Sequence, residues 1–152
     1  MLTILAEASA AGPPSGSIDL MSPLFSVSRT LAAPPDEVWR LLVEVENWPR
    51  WGPTVSQVRL DHSGGRIHEG STGMVVPPIG VPLPFRVTDF VEGHRWSWRV
   101  AGVPATSHRV EAALLSSAGA RVTFGVPWWA PAYLAVCELA LRRLERLTLP
   151  GD

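Results

Sequence analysis

The residues of this 152-residue chain best suited to move a proton are Asp89 and His108, because strand alternation sets each in an apolar row. In Phe85-Arg86-Val87-Thr88-Asp89-Phe90-Val91, every second side chain shares a face, so Asp89 falls in line with Phe85, Val87 and Val91. The same reasoning groups Trp96, Trp98 and Val100, then His108, Val110, Ala112 and Leu114, then Val122, Phe124 and Val126. A carboxylate or an imidazole in such company is costly unless it is hydrogen-bonded. A carboxylate that orients a histidine makes a general base, sharpened where water is excluded, so Asp89 and His108 are the catalytic candidates. The alternative is structural: both sit partly wet at a rim and orient a ligand. A bulge would reverse the alternation, carry Asp89 outward and present Arg86 instead. Tyr133 is the third polar side chain expected on the inner face.

The elements that must position these groups follow from periodicity and punctuation. Leu24–Leu31 alternates and is rich in strand formers, with Phe25 and Val27 facing in. Ala33-Pro34-Pro35-Asp36-Glu37 opens a helix, with prolines at the entry and acids in the first turn. Pro49 and Gly52-Pro53 break it, giving a turn or second short helix around Trp48-Pro49-Arg50-Trp51. Six further strands are expected over 55–61, 69–76, 85–92, 95–101, 107–115 and 121–126, separated by turn signals such as Gly93-His94 and Gly102-Val103-Pro104. Residues 132–149 read as one long helix of roughly 27 Å, entered by Pro131 and stopped by Pro150-Gly151. Tyr133, Cys137, Ala140, Leu141, Leu144 and Leu147 form its apolar arc, opposite Glu138, Arg142, Arg143, Glu145 and Arg146. Small residues among large ones allow that arc to close on a sheet or to leave room beneath it.

Composition narrows the function classes. The length suits one domain with its own core, residues 23–150, after a flexible tail over 1–22 that holds Gly12-Pro13-Pro14-Ser15-Gly16. Translation from Met21 is an alternative start. A formal net charge of −1, with thirteen arginines and no lysine, gives no field for nucleic acid or an anionic membrane. No run of some eighteen apolar residues exists to span a bilayer, and Glu7 interrupts the first apolar stretch. The single Cys137 excludes an internal disulfide and fits a cytoplasmic protein, in which it serves as a small core residue rather than a nucleophile. His62, His68, His94 and His108 are scattered singly, so neither a metal site nor a cofactor is expected, and the glycine-rich and GxSxG signatures are absent. Seven tryptophans invite aromatic recognition, since flat rings stack on indoles. Trp39 and Trp48 read as core anchors, while Trp51, Trp96, Trp98, Trp128 and Trp129 are freer to meet a ligand. The apolar loop from Val76 to Pro84 reads equally well as a lid or a plain connection.

The stretch Ala33-Pro-Pro-Asp-Glu-Val-Trp39, then Trp48-Pro-Arg-Trp51 with Pro53, and Arg86-Val-Thr-Asp89 with Arg95-Trp-Ser-Trp98 resemble the SRPBCC superfamily. That superfamily includes START-related lipid carriers, birch-pollen-allergen-like proteins and polyketide cyclase/dehydrase-like proteins. The resemblance implies an α+β helix-grip fold: a seven-stranded curved antiparallel sheet wrapped round a long C-terminal helix, two short helices after the first strand, and an apolar cavity between sheet and helix. It says little about function, because members carry lipids, sense hormones, partner chaperones or cyclise polyketides. In its cyclases, arginine, tyrosine and tryptophan side chains position the chain, which marks Arg86 and Tyr133. The leading expectation is binding of a hydrophobic, aromatic or polycyclic small molecule by Trp51, Arg86, Val87, Trp96, Trp98, Val110, Phe124, Trp129, Tyr133, Cys137 and Leu141. The rival is a cyclase, aromatase or dehydratase using Asp89 and His108, and a third is an interaction module with a collapsed cavity. Monomer and homodimer are both open, an exposed Trp128 or Trp129 favouring the dimer.

Overall fold

The computed structural model describes residues 25–114 and 118–149. The expected tail over 1–22, the alternative start at Met21 and the stop at Pro150-Gly151 lie outside them. Chain order is β1 (Phe25–Leu31), α1 (Pro35–Val43), a 3-10 turn (Val45–Asn47), α2 (Trp48–Trp51), β2 (Gln57–Leu60), β3 (Thr72–Val76), β4 (Leu83–Val91), β5 (Arg95–Val100), β6 (Val103–Ala112), β7 (Ala120–Val126), a second 3-10 turn (Pro131–Tyr133) and α3 (Leu134–Leu147). The strands form one antiparallel sheet in the order β1-β7-β6-β5-β4-β3-β2. The expected helix-grip architecture is thus present.

Two boundaries move for local reasons. β6 begins at Val103, four residues before the expected strand at Ser107, because Ala101 (φ 52°) and Gly102 (φ 80°) alone make the hairpin turn. Two consecutive positive-φ residues give the tight connection whose twist matches the strands, so Val103 pairs with Val100 at once. The C-terminal helix begins one turn later than expected, since Pro131–Tyr133 winds as a 3-10 turn first.

The concave face carries two unlike halves. α3 lies along β1 and β7, where Cys137, Ala140, Leu141 and Leu144 bury their apolar arc against Leu31, Val122 and Val126. Arg29, on the helix-facing side of β1, reaches Glu145 (2.9 Å) and Glu138 (3.5 Å) of α3. The middle of the sheet is covered by the indoles of α1 and α2. Trp39 donates to Glu92 (2.8 Å), Trp48 to the carbonyl of Leu42 (2.9 Å) and Trp51 to that of Leu41 (2.8 Å), so each ring is buried with its N–H satisfied. Gly73 lets the ring of Phe85 lie across β3. A Cβ there would stand 2.2 Å from the Arg59 carbonyl and 3.0 Å from that ring, so no larger residue fits between β2 and β4.

Candidate functional site

His108 sits at the centre of the aromatic half, 3 % exposed, as its place on the inner face of β6 requires. Its ring stacks on Trp96 at 3.9 Å and meets Phe124 edge-on at 4.8 Å. Trp48 stacks on Trp96 in turn, at 5.2 Å with 4° between the planes. Trp51 closes over His108 and Phe124 at 6.1 and 5.6 Å. The space that the sequence left open for a ligand is here filled by side chains: Trp51, Val87, Trp96, Val110, Phe124, Cys137 and Leu141 are all buried in one continuous core.

A polar thread runs through this cluster beside a bulge. Between the pairs Ser97–Ser107 and Arg99–Pro104, two residues of β6 oppose the single Trp98 of β5. Thr106, two residues before His108 and so on the same inner face, lies opposite Trp98, and its hydroxyl oxygen accepts from Trp98 Nε1 (3.0 Å). The same oxygen lies 3.1 Å from His108 Nε2, and His108 Nδ1 lies 3.3 Å from the Trp96 carbonyl. A carbonyl can only accept, so Nδ1 holds the ring proton and Nε2 accepts the Thr106 O–H. Burial pushes the His108 pKa down to about 3, which keeps the imidazole neutral at physiological pH. The indole N–H of Trp96 is buried without a partner among the described residues.

Asp89 does not join His108. The register of β4 against β5 shifts between Val87 and Asp89, and this bulge moves Asp89 to the convex face, where it pairs with Arg95 (2.8 Å). Phe90 takes the inward place and packs on Trp39 at 5.7 Å. The expected inward row Phe85-Val87-Asp89-Val91 is therefore corrected to Phe85-Val87-Phe90. Because the bulge falls after Arg86, that side chain also stays on the convex face and exposed. The carboxylate-histidine pair expected from alternation is not formed. The expected inward Leu114 lies beyond β6 and is 92 % exposed. Trp129 is half exposed in the β7–α3 loop. Cys137 is a buried thiol whose pKa burial pushes up to about 12, in keeping with a core residue.

One end of the concave face is less tightly packed. Toward the start of α3, Leu83, Trp98, Val100, Tyr133 and Leu134 face the core yet are only partly buried. The Tyr133 hydroxyl shares a 2.7 Å hydrogen bond with Thr54, tying the loop after α2 to the base of α3, and burial holds its pKa above the ordinary value. Thr106, one residue ahead of the expected strand, is the link between this end and His108. Two surface hollows lie elsewhere. One of about 410 Å³ is bordered by α1 and the turn after it, and one of about 270 Å³ lies beside Arg29 and Arg142. Among the described residues no cluster of three potential metal ligands occurs, and no helix is long and apolar enough to cross a membrane.

A curved antiparallel sheet gripping a C-terminal helix, with an aromatic interior, defines the helix-grip class. Residues 22–146 match the family model described as polyketide cyclase / dehydrase and lipid transport, and the chain belongs to that family. No curated protein matches it. Among solved structures it is similar to the protein XoxI from Bacillus cereus, 18 % identical with a TM-score of 0.63, covering 83 % of this chain and 95 % of that one. A hypothetical protein from Helicobacter pylori is 14 % identical with a TM-score of 0.64, covering 82 % and 86 %. A protein from Deinococcus radiodurans is 16 % identical with a TM-score of 0.62, covering 84 % and 98 %. At these identities the likeness is one of fold.

Proposed function

We propose that this protein binds a neutral, ring-containing hydrophobic small molecule at the loosely packed end of its concave face and releases it unchanged. The observation that carries this reading is Trp98: among the described residues, the one inward-facing indole left partly exposed, with its N–H already tied to Thr106. A flat ligand gains stacking area there without displacing the core behind it. Tyr133 and Thr54 at the same end offer hydroxyls for one polar group. Turnover is disfavoured, because burial makes His108 a weak base, its Nε2 is occupied by Thr106, and no carboxylate orients it.

The test is one incubation series with fatty acids, sterols, flavonoids and linear polyketide mimics, following tryptophan quenching and analysing each mixture by mass spectrometry. Saturable quenching with the ligand recovered intact is expected, weakened about tenfold by Trp98→Ala through loss of stacking worth roughly 1 kcal/mol or more. A dehydrated or newly cyclised product that disappears in His108→Ala, with the fold retained, would replace binding by catalysis.

A further inference from the structure

The exposed large apolar side chains are not spread evenly over the molecule. Ile79 (82 %), Trp128 (66 %), Val81 (52 %), Trp129 (50 %) and Val103 (44 %) protrude, and the antiparallel order brings all five to one end of the sheet. That end is built from the β3–β4 loop (77–82), the β5–β6 turn (101–102) with the first residue of β6, and the β7–α3 loop (127–130). The segments Pro77-Pro-Ile-Gly-Val-Pro82, Ala101-Gly-Val-Pro104 and Pro127-Trp-Trp-Ala-Pro131 contain no ionisable side chain. The opposite end carries Asp61, Arg66, Glu69 and Glu92 with His62, His68 and His94, and among the described residues the large exposed apolar side chains away from the three loops are Leu114 here and Leu139 and Leu149 on and just after α3.

We infer that this apolar end docks on the interface of an electrically neutral lipid bilayer. The argument is one of complementarity. A protein partner of ordinary interface size is surrounded by a polar rim whose hydrogen bonds and charges set its register, and these three segments supply no charge for one. A bilayer needs no register. Indole rings settle at the boundary of headgroups and acyl chains, and aliphatic side chains on loop tips insert just beyond it. The three loops carry no arginine of their own and only Arg99 borders them, donating to the Gly102 carbonyl (2.9 Å), so attraction to anionic headgroups is confined to one cation and docking depends only weakly on salt. This inference rests on the distribution of exposed side chains and not on the ligand site, so either can fail alone.

The experiment is co-sedimentation of the full chain with phosphatidylcholine vesicles at low and high salt, without added ligand. Binding is expected, changing less than about twofold between the two salt levels. Ile79→Ser combined with Trp128→Ser is expected to weaken it by about tenfold or more, since each removes a large apolar side chain from the inserted set. Leu114→Ser removes an equally exposed leucine at the opposite end and is expected to leave binding unchanged. All variants change exposed residues, and matching melting curves verify their folds. No partitioning, or partitioning only to anionic vesicles that salt abolishes, overturns the inference. So does a vesicle-free dimer in sedimentation velocity that Trp128→Ser splits, because the surface would then belong to a second copy of the chain.

Discussion

The two halves of the concave face solve the same problem with different chemistry. Over β1 and β7, α3 brings small and aliphatic side chains close to the sheet and leaves its charges at the margin. Over β4, β5 and β6, flat rings fill the space: three indoles carried by α1 and α2 meet Phe85, Phe90, Trp96, Trp98 and His108. The first arrangement fixes the distance between helix and sheet. The second can admit another ring at its edge without moving a helix, because rings that meet edge-on or offset tolerate a neighbour at similar spacing. Recognition is thus expected beside the tryptophans rather than beneath the long helix.

The largest effects separate the halves by packing. Trp48 is 1 % exposed, stacks on Trp96, meets Phe85 and Trp98, and bonds Leu42. Trp48→Ala is expected to cost about 3–5 kcal/mol and to approach the whole stability of a domain this size. Leu141→Ala, in the aliphatic seam, is expected to cost about 2–5 kcal/mol, toward the lower end if α3 settles onto the small residues beside it. Urea unfolding measures both. The sharper readout is a hydrophobic dye or an indole-sized ligand: the Trp48→Ala protein is expected to bind it, and the Leu141→Ala protein to bind less. Equal binding by the two would erase the distinction between the halves.

His108 tests the aromatic half by pH. Its pKa is lowered from 6.5 to about 3 by burial, so the unfolded chain binds a proton that the folded chain refuses over that window. The contribution is complete above pH 6.5 and is lost as pH falls, by about 1.4 kcal/mol for each unit between the two values. Comparing urea midpoints at pH 7 and pH 5 for the protein and for His108→Phe checks the sign. The wild-type chain is expected to lose more stability on acidification than the variant. Parallel losses would mean that the imidazole is not buried neutral.

The sequence carried much of this in its periods and little of it in its irregularities. Alternation and turn signals located every strand, and the Pro35 entry and the Pro49 break located the two helices before β2. The inward placement of Trp96, Val110, His108 and Phe124 followed from alternation alone. Asp89 did not, because a bulge is one residue whose location depends on what the neighbouring strand must match, here Trp98 against Val87 and Ser97 against Asp89. The link from Thr106 to His108 was hidden for another reason: alternation back from His108 puts Thr106 inward, but the strand expected from turn signals starts only at Ser107. Whether a cavity remained was equally illegible, since side-chain volumes do not say how far a helix stands from a sheet. The Pro131 entry pointed to α3, yet its first turn winds as 3-10, a difference of a few dihedral degrees.

The smallest expected effect concerns what secures α3. Arg29 makes two ion pairs with Glu145 and Glu138, and Arg142 adds a third to Glu138 at 3.4 Å, so the helix could be taken as held by charge. Each of these side chains is about a third exposed or more, and a solvated ion pair is worth roughly 1 kcal/mol at most. Arg29→Gln keeps a donor near Glu145 and leaves Arg142 to balance Glu138. It is expected to cost under about 1 kcal/mol, and the difference from wild type is expected to shrink in high salt as the charges are screened. A loss comparable with that of Leu141→Ala, unaffected by salt, would mean that Arg29 acts through the packing of its aliphatic stem beneath the helix. The seam between α3 and the sheet would then include β1's edge, and its closure would depend on that stem as much as on Cys137, Ala140 and Leu144.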